Sequence, residues 1–224
     1  MITVRKSDDR GAFDFGWLKT AHTFSFGSYH DPAHMGFRSL RVINEDHVAP
    51  GTGFDLHPHQ HMEIITVVLD GAIAHRDSLG NRSTLRAGEV QRMSAGTGVM
   101  HSEHNASTSE PLHLLQIWLR PDRRDLAPSY EQRAFLDADG PVTLLVSPDA
   151  ADGSLRIHQD ARLYRVVGEA NIPLAPGRAA WVQVMRGRAE IDGVTLHAGD
   201  GAAVTDLPAV TLSGDHDSLV FDLA

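Results

Sequence analysis

Two short stretches of this 224-residue chain have the residue types and spacing to hold a metal ion. His57-Pro58-His59 places imidazoles at i and i+2, so on extended backbone both project to one face of a strand. His101-Ser102-Glu103 repeats the spacing with an imidazole and a carboxylate. Two such pairs on facing strands would converge His57, His59, His101 and Glu103 on one point. That mixed nitrogen and oxygen set suits iron, manganese, cobalt, nickel, copper or zinc. On an octahedral ion, four such ligands leave positions open, which a catalytic metal needs.

A single His-X-His is also the pattern of two solvent-facing histidines. Two pairs together change the balance, as does the clustering of seven of the 14 histidines between His57 and His113. Glu63 follows His59 by four residues and, by parity, could be a ligand, a hydrogen-bond partner for a ligand imidazole or a polar strand residue; support of an imidazole is the expectation. His61 is a candidate to line the cavity, with an exposed strand position as its alternative. His75, His104, His113 and His158 are expected to be structural or surface residues.

The chain contains no cysteine, which excludes disulfides, thiolate metal sites and thiol nucleophiles, so a metal here must be bound by nitrogen and oxygen. A formal net charge of −9 offers no attractive field to a phosphate backbone, and nucleic acid is not expected as a direct ligand. The Arg123-Arg124 pair, between Asp122 and Asp125, reads as a solvated loop. Met1 to Lys19 carries six charged residues before Lys19 itself and no apolar signal core. No apolar run approaches the roughly 18 residues of a membrane span. The expectation is a folded, water-soluble cytoplasmic protein with no membrane partner, its 42% apolar and 22% charged residues falling in the globular range.

The elements that must position the ligands read as strands. Ile64 to Leu69, Leu112 to Leu119, Trp181 to Met185, Val194 to Leu196, Val210 to Leu212 and Ser218 to Leu223 are short, rich in Val, Ile, Leu and Thr, and bounded by turn residues. The best helical candidate is a brief piece from Tyr130 to Phe135. Composition turns charged and proline-bearing between Pro121 and Pro141, which divides the chain into units 1–125 and 126–224. Gly51-Thr52-Gly53 and Gly96-Thr97-Gly98 read as turns setting the entry of the ligand strands, since neither opens a helix that could cradle phosphate.

The two units repeat one another. Thr84-Leu85-Arg86-Ala87-Gly88-Glu89 matches Thr195-Leu196-His197-Ala198-Gly199-Asp200, and Gly71 after a strand parallels Gly187 after another. Carried across this repeat, His57 and His59 fall opposite Pro173 and Ala175, and His101 and Glu103 opposite Leu212 and Gly214. The histidines are therefore not a requirement of the fold, and one metal per chain is expected.

Gly53-Phe54-Asp55-Leu56-His57-Pro58-His59, Glu63, Gly71, Ala87-Gly88-Glu89, Met93-Ser94-Ala95-Gly96-Thr97-Gly98 and His101-Ser102-Glu103 resemble the pirin family of the cupin superfamily. The likeness extends over nearly the whole chain, through Leu115-Gln116-Ile117-Trp118, Ser147-Pro148-Asp149 and His158-Gln159-Asp160, and is closest to bacterial pirin-like quercetinases. It implies an all-β bicupin, two double-stranded β-helix (jelly-roll) barrels packed together, with metal only in the first. The family's ligands fall on His57, His59, His101 and Glu103, with iron the first expectation. The implied activity is quercetin 2,3-dioxygenase: a flavonol-like aromatic substrate loses its 3-hydroxyl proton, with Glu103 as base, and reacts with O2 to release carbon monoxide and a depside. The alternative is a metal- and redox-dependent regulatory protein, since mammalian pirins are described as iron-dependent coregulators. A monomer is expected in either case.

Overall fold

A computed structural model describes residues 1–135 and 140–224. Among them the chain is built of short strands, with two single-turn 3-10 segments at Ser7–Asp9 and Ala151–Gly153. No described helix is long and apolar enough to cross a membrane.

The first half forms two sheets. A seven-stranded sheet runs in the spatial order Ser129–Ala134, Glu89–Ser94, Glu63–Asp70, Leu112–Leu119, Leu40–Val48, Leu18–His22 and Gly11–Asp14. A four-stranded sheet runs Gly53–His59, Val99–Asn105, Ala72–Asp77 and Arg82–Arg86. All of these pairings are antiparallel. Strand alternation sends every second side chain between the sheets, and at one end Val68, Leu112 and Leu114 meet Ile73 and Leu85 from the opposite sheet.

The second half has an eight-stranded sheet and a two-stranded sheet, the latter pairing Ala170–Pro173 with Ala209–Leu212. Its core joins Val182, Val184 and Val220 to Ile172, Val210 and Leu212. The strands of each half thus hydrogen-bond as facing open sheets, and no single ring of strands closes among the described residues. The repeat seen in the sequence has a backbone cause. Gly71 (φ 81) and Gly187 (φ 73) both adopt left-handed conformations, and a Cβ on either would approach the carbonyl oxygen of Pro111 or Asp215 within 2.7 Å or 2.1 Å.

The halves share an apolar seam. Ile43, Ile65, Val67, Leu115 and Ile117 pack with Leu145, Leu163, Trp181, Leu219 and Phe221, and Phe24 lies against Trp181 with ring centroids 4.8 Å apart.

Two strands cross the sequence division at Asp125 and Leu126. Ile2–Arg5 pairs with Gly201–Val204 in the second half's sheet, and Ser129–Ala134 pairs with Glu89–Ser94 in the first half's sheet. The latter is the segment expected to be a short helix. It is a strand because Tyr130 faces Met93 across the ladder and packs on the Ile64, Met93 and Val99 cluster, tertiary burial overriding weak local preference.

Candidate metal centre

Gly53–His59 and Val99–Asn105 are hydrogen-bonded neighbours in one sheet, with His57 opposite His101 and His59 opposite Val99. The ligand pairs therefore meet across a ladder, where the sequence reading had placed them on facing strands. Glycine is needed at position 53 for this approach: a Cβ there would lie 2.4 Å from both the Glu103 carbonyl oxygen and His104 Cα. Between His101 and Glu103 the register slips, so that Glu103 stands opposite Phe54, and the bulge re-aims the residues around it.

The three imidazoles converge. Ring centroids are 4.4 Å apart for His57 and His101, 4.7 Å for His59 and His101, and 4.8 Å for His57 and His59. One nitrogen from each ring lies within 4.8 Å of the others. His57 Nδ1 donates to the Asp55 carbonyl oxygen at 2.7 Å, which fixes the ring and leaves Nε2 as its free lone pair. Burial, and then the neighbouring His101 and His57 rings, lower His59 to about 4. Burial, and then His57 and His75, lower His101 to about 3. Neutral imidazoles with open lone pairs are the form a metal takes.

His101 tests whether such a group fits. It is only 1% exposed, and neither ring nitrogen has a hydrogen-bond partner. A buried imidazole with both nitrogens idle is costly unless something outside the protein accepts its lone pair. Three convergent nitrogens beside a carboxylate fit a divalent transition metal.

Glu103 is 2% exposed and forms a second group with His101 and His75. Its carboxylate is held by the facing sheet: Gln91 Nε2 donates to Oε1 at 2.5 Å, Gln116 Nε2 to Oε2 at 2.8 Å, and Thr66 Oγ1 to Oε1 at 3.4 Å. Oε2, with a single donor, retains a lone pair after these bonds.

His75 belongs to the site, contrary to the surface or structural role expected of it. It is 1% exposed, its Nε2 lies 3.2 Å from Asp77 Oδ2, its Nδ1 lies 4.0 Å from Glu103 Oε1, and its ring stacks on Tyr130 at 4.5 Å. The available signal was a histidine two residues before an aspartate on a strand adjoining the ligand strand. Gln91, Gln116 and Thr66 were also missed; each is a polar residue inside an apolar strand run.

Glu63 does not support a ligand imidazole. It accepts from Ser94 Oγ at 2.8 Å and faces His158 Nδ1 at 3.5 Å, at the contact with the second half. Parity cannot be counted across the Gln60 to Met62 turn, where His61 adopts φ 52. His61 is only partly buried in that turn, its backbone N–H donating to the Gly96 carbonyl. His104 pairs with exposed Asp55 at 3.3 Å.

A third group, Glu45, His47 and His113, lies on the opposite face of its strand from Asn44 and Asp46. Two of its members are engaged: Arg10 holds Glu45 at 2.8 Å, and His113 spans Glu45 at 2.9 Å and Asp70 at 3.5 Å. The second half's strand pair equivalent to the ligand strands, Ala170–Pro173 and Ala209–Leu212, carries no histidine or acid.

Asp46 adds a testable electrostatic feature to the first half's interior. Burial, with the nearby Glu103 and Glu45 charges, raises its carboxyl to about 7, against the opposing effects of the Thr20 side chain and, smaller, of His113. A folded value above the unfolded one means the native state holds a proton that the unfolded chain releases. This contribution favours folding at low pH and is lost as pH rises from about 4 through about 7. Asp46→Asn in metal-free protein is expected to flatten that decline, gaining on the order of 2–4 kcal/mol over wild type above pH 7 and little near pH 4. Denaturant titrations at both pH values measure it, and an equal effect at the two would show that Asp46 is charged throughout.

Facing β-sheets in two repeated units, with an imidazole cluster and a carboxylate in the first alone among the described residues, define a two-unit cupin with a metal-type donor set. Residues 3–119 match the family model described as Pirin, and residues 144–223 match the one described as Quercetinase C-terminal cupin domain. The chain belongs to the pirin family, as its motifs implied, and its fold is the bicupin. It is 49% identical over 229 residues to quercetin 2,3-dioxygenase of Escherichia coli strain K12, covering 100% of this chain and 99% of that one. It is 42% identical over 226 residues to the pirin-like protein of Caulobacter vibrioides, covering 97% of each. The crystal structure of the bacterial pirin YhhW of Escherichia coli in complex with nickel(II) superposes with a TM-score of 0.95 at 47% identity, covering 100% of this chain and 99% of that one.

Proposed function

We propose that this protein is a metal-dependent dioxygenase that cleaves flavonols with O2 and releases carbon monoxide, acting as a monomer with one metal ion in the unit spanning residues 1–125. The observation that carries the reading is the convergence of His57, His59 and buried, unpartnered His101 beside Glu103. The dioxygenase name and the bound nickel(II) of its relatives support it. His57, His59 and His101 would hold the ion, and Glu103 would complete the set.

When bound, the ion polarises the flavonol 3-hydroxyl and favours its anion. The rest is done by side chains. Glu103 takes the hydroxyl proton, and Gln91 and Gln116 keep its two oxygens aimed while it does so. Asp77 orients His75 behind it. Trp118, edge-on to His59 at 4.9 Å, and the Ile64, Met93 and Val99 cluster present an apolar wall that limits water at the reacting carbon atoms.

The two acidic residues are expected to separate cleanly. In Glu103→Gln the carboxamide must turn N–H toward Gln91 or Gln116, setting donor against donor, so metal affinity and turnover should both fall by at least about tenfold. Glu63→Gln should retain metal within about twofold, because Glu63 faces Ser94 and His158. Metal analysis after dialysis, with turnover assays, checks both. Loss of metal from Glu63→Gln alone would reverse the assignment.

A further inference from the structure

A glutamine can serve a carboxylate with only one end of its carboxamide, the NH2, because the other end is an acceptor. Gln91 and Gln116 both turn that end to Glu103, which leaves Gln91 Oε1 and Gln116 Oε1 in need of donors inside the protein. Each finds one. Thr66 Oγ1 donates to Gln116 Oε1 at 3.1 Å and accepts from Gln91 Nε2 at 2.9 Å. Gln91 Oε1 accepts from the Tyr130 hydroxyl at 3.0 Å, its one donor among the described residues.

Tyr130 is not on a ligand strand. It lies in Ser129–Ala134, beyond the division at Asp125 and Leu126, at the edge of the seven-stranded sheet. Its hydroxyl also reaches the facing four-stranded sheet, where Ser83 Oγ is 2.6 Å away. Gln132 Oε1 stands 2.9 Å from it, but Gln132 is exposed and its carboxamide can turn in solvent to donate instead, whereas Gln91 is only 2% exposed. With Ser83 donating to it, the phenol has its single proton to give to Gln91. That proton stays in place, because burial, with the Glu103, Asp77 and Glu89 charges, pushes Tyr130 up to about 12 against the opposing Ser83 hydrogen bond. The donors therefore run one way, from Ser83 through Tyr130 and Gln91 to one oxygen of Glu103, and onward through Thr66 and Gln116 to the other.

We propose that Tyr130 is a positioning residue of the metal centre: its hydroxyl fixes the direction of the Gln91 carboxamide and, through it, the place of the Glu103 carboxylate. This rests on the reading above that Glu103 completes the metal's donor set. Without the hydroxyl, Gln91 Oε1 is left buried and unpaired, the costly state for a polar atom. The carboxamide relieves that by turning toward another donor, which takes its NH2 off Glu103. Residues 1–125 thus hold every proposed ligand but not the group that aims one of them, which comes from the strand laid down next.

Tyr130→Phe deletes the hydroxyl and keeps the ring that stacks on His75 at 4.5 Å. The test is a double-mutant cycle on metal-free protein, in which competition with a coloured chelator gives the nickel(II) affinity of wild type, Tyr130→Phe, Gln91→Met and the double variant, with Glu103→Gln as reference. Outer partners of a ligand are worth about 10–100-fold, so Gln91→Met should weaken nickel about tenfold and Tyr130→Phe, one bond further out, about three- to fivefold. In the Gln91→Met background Tyr130→Phe should cost less than about 1.5-fold, because the hydroxyl acts through Gln91. A merely structural role would cost the same factor in both backgrounds, and that result would overturn the proposal. So would unchanged affinity in Tyr130→Phe while Glu103→Gln loses nickel. Either outcome spares the metal reading. If Glu103→Gln binds nickel as wild type does, or if wild type binds none, the donor set assigned above fails and the proposal fails with it.

Discussion

Replacing His59 or His101 by alanine is expected to strip the protein of its metal, weakening affinity by well over about 100-fold. Outer hydrogen-bond partners of a ligand are already worth about 10–100-fold, and each of these imidazoles would be a ligand itself. The wild type should carry close to one ion per chain, because the strand pair at the equivalent place in the second half has no group to bind one. His197→Ala should change nothing, since His197 is exposed on the second half's hairpin. Elemental analysis after reconstitution and dialysis decides the matter. Two tightly held ions, or none, would refute the assignment. The Glu45, His47 and His113 group makes this a real test: a second ion there would have to displace the Arg10 and Asp70 contacts.

The second large effect concerns the reaction. The metal-loaded protein is expected to consume O2 and quercetin and to release carbon monoxide, and the His57→Ala, His59→Ala double variant should fall to the uncatalysed rate. Kaempferol-like flavonols should react because their 3-hydroxyl can give up its proton to Glu103, and flavones lacking it should not. Carbon monoxide must be measured alongside loss of the flavonol, because autoxidation also bleaches quercetin. Equal rates for wild type and the double variant, or no carbon monoxide with any reconstituted metal, would reject the dioxygenase proposal and favour a regulatory role for the same centre.

Much of this was legible in residue order. Short apolar runs bounded by turn residues marked the strands Leu112–Leu119 and Glu63–Asp70 to within a residue, and the i, i+2 pairs picked out three imidazoles that do converge. What stayed hidden depends on long-range partners. Glu63 was misplaced because a turn resets strand parity, and Tyr130 to Phe135 was misread because its pairing strand lies some forty residues earlier. The place of His75 opposite Glu103 could not be seen without strand register. Thr66, Gln91 and Gln116 are ordinary polar residues in their own strands and become a carboxylate cradle only when three ladders align them.

The crossed strands bear on how the molecule is made. Ile2–Arg5 finds its partner only in Gly201–Val204, after about 200 residues of intervening chain. During synthesis Ile2–Arg5 must wait, unpaired, until Gly201–Val204 has left the ribosome, and contacts this distant in sequence are the slow ones. The stretch from Ser129 to Ala134 has the opposite schedule, completing the first half's sheet soon after that half emerges. The first unit can therefore mature on the ribosome with its imidazoles in place, while the second is sealed last by Ile2–Arg5. A ribosome-stalled series should show metal capture once Ala134 is clear of the tunnel, and protease resistance of residues 2–5 only after Val204 is.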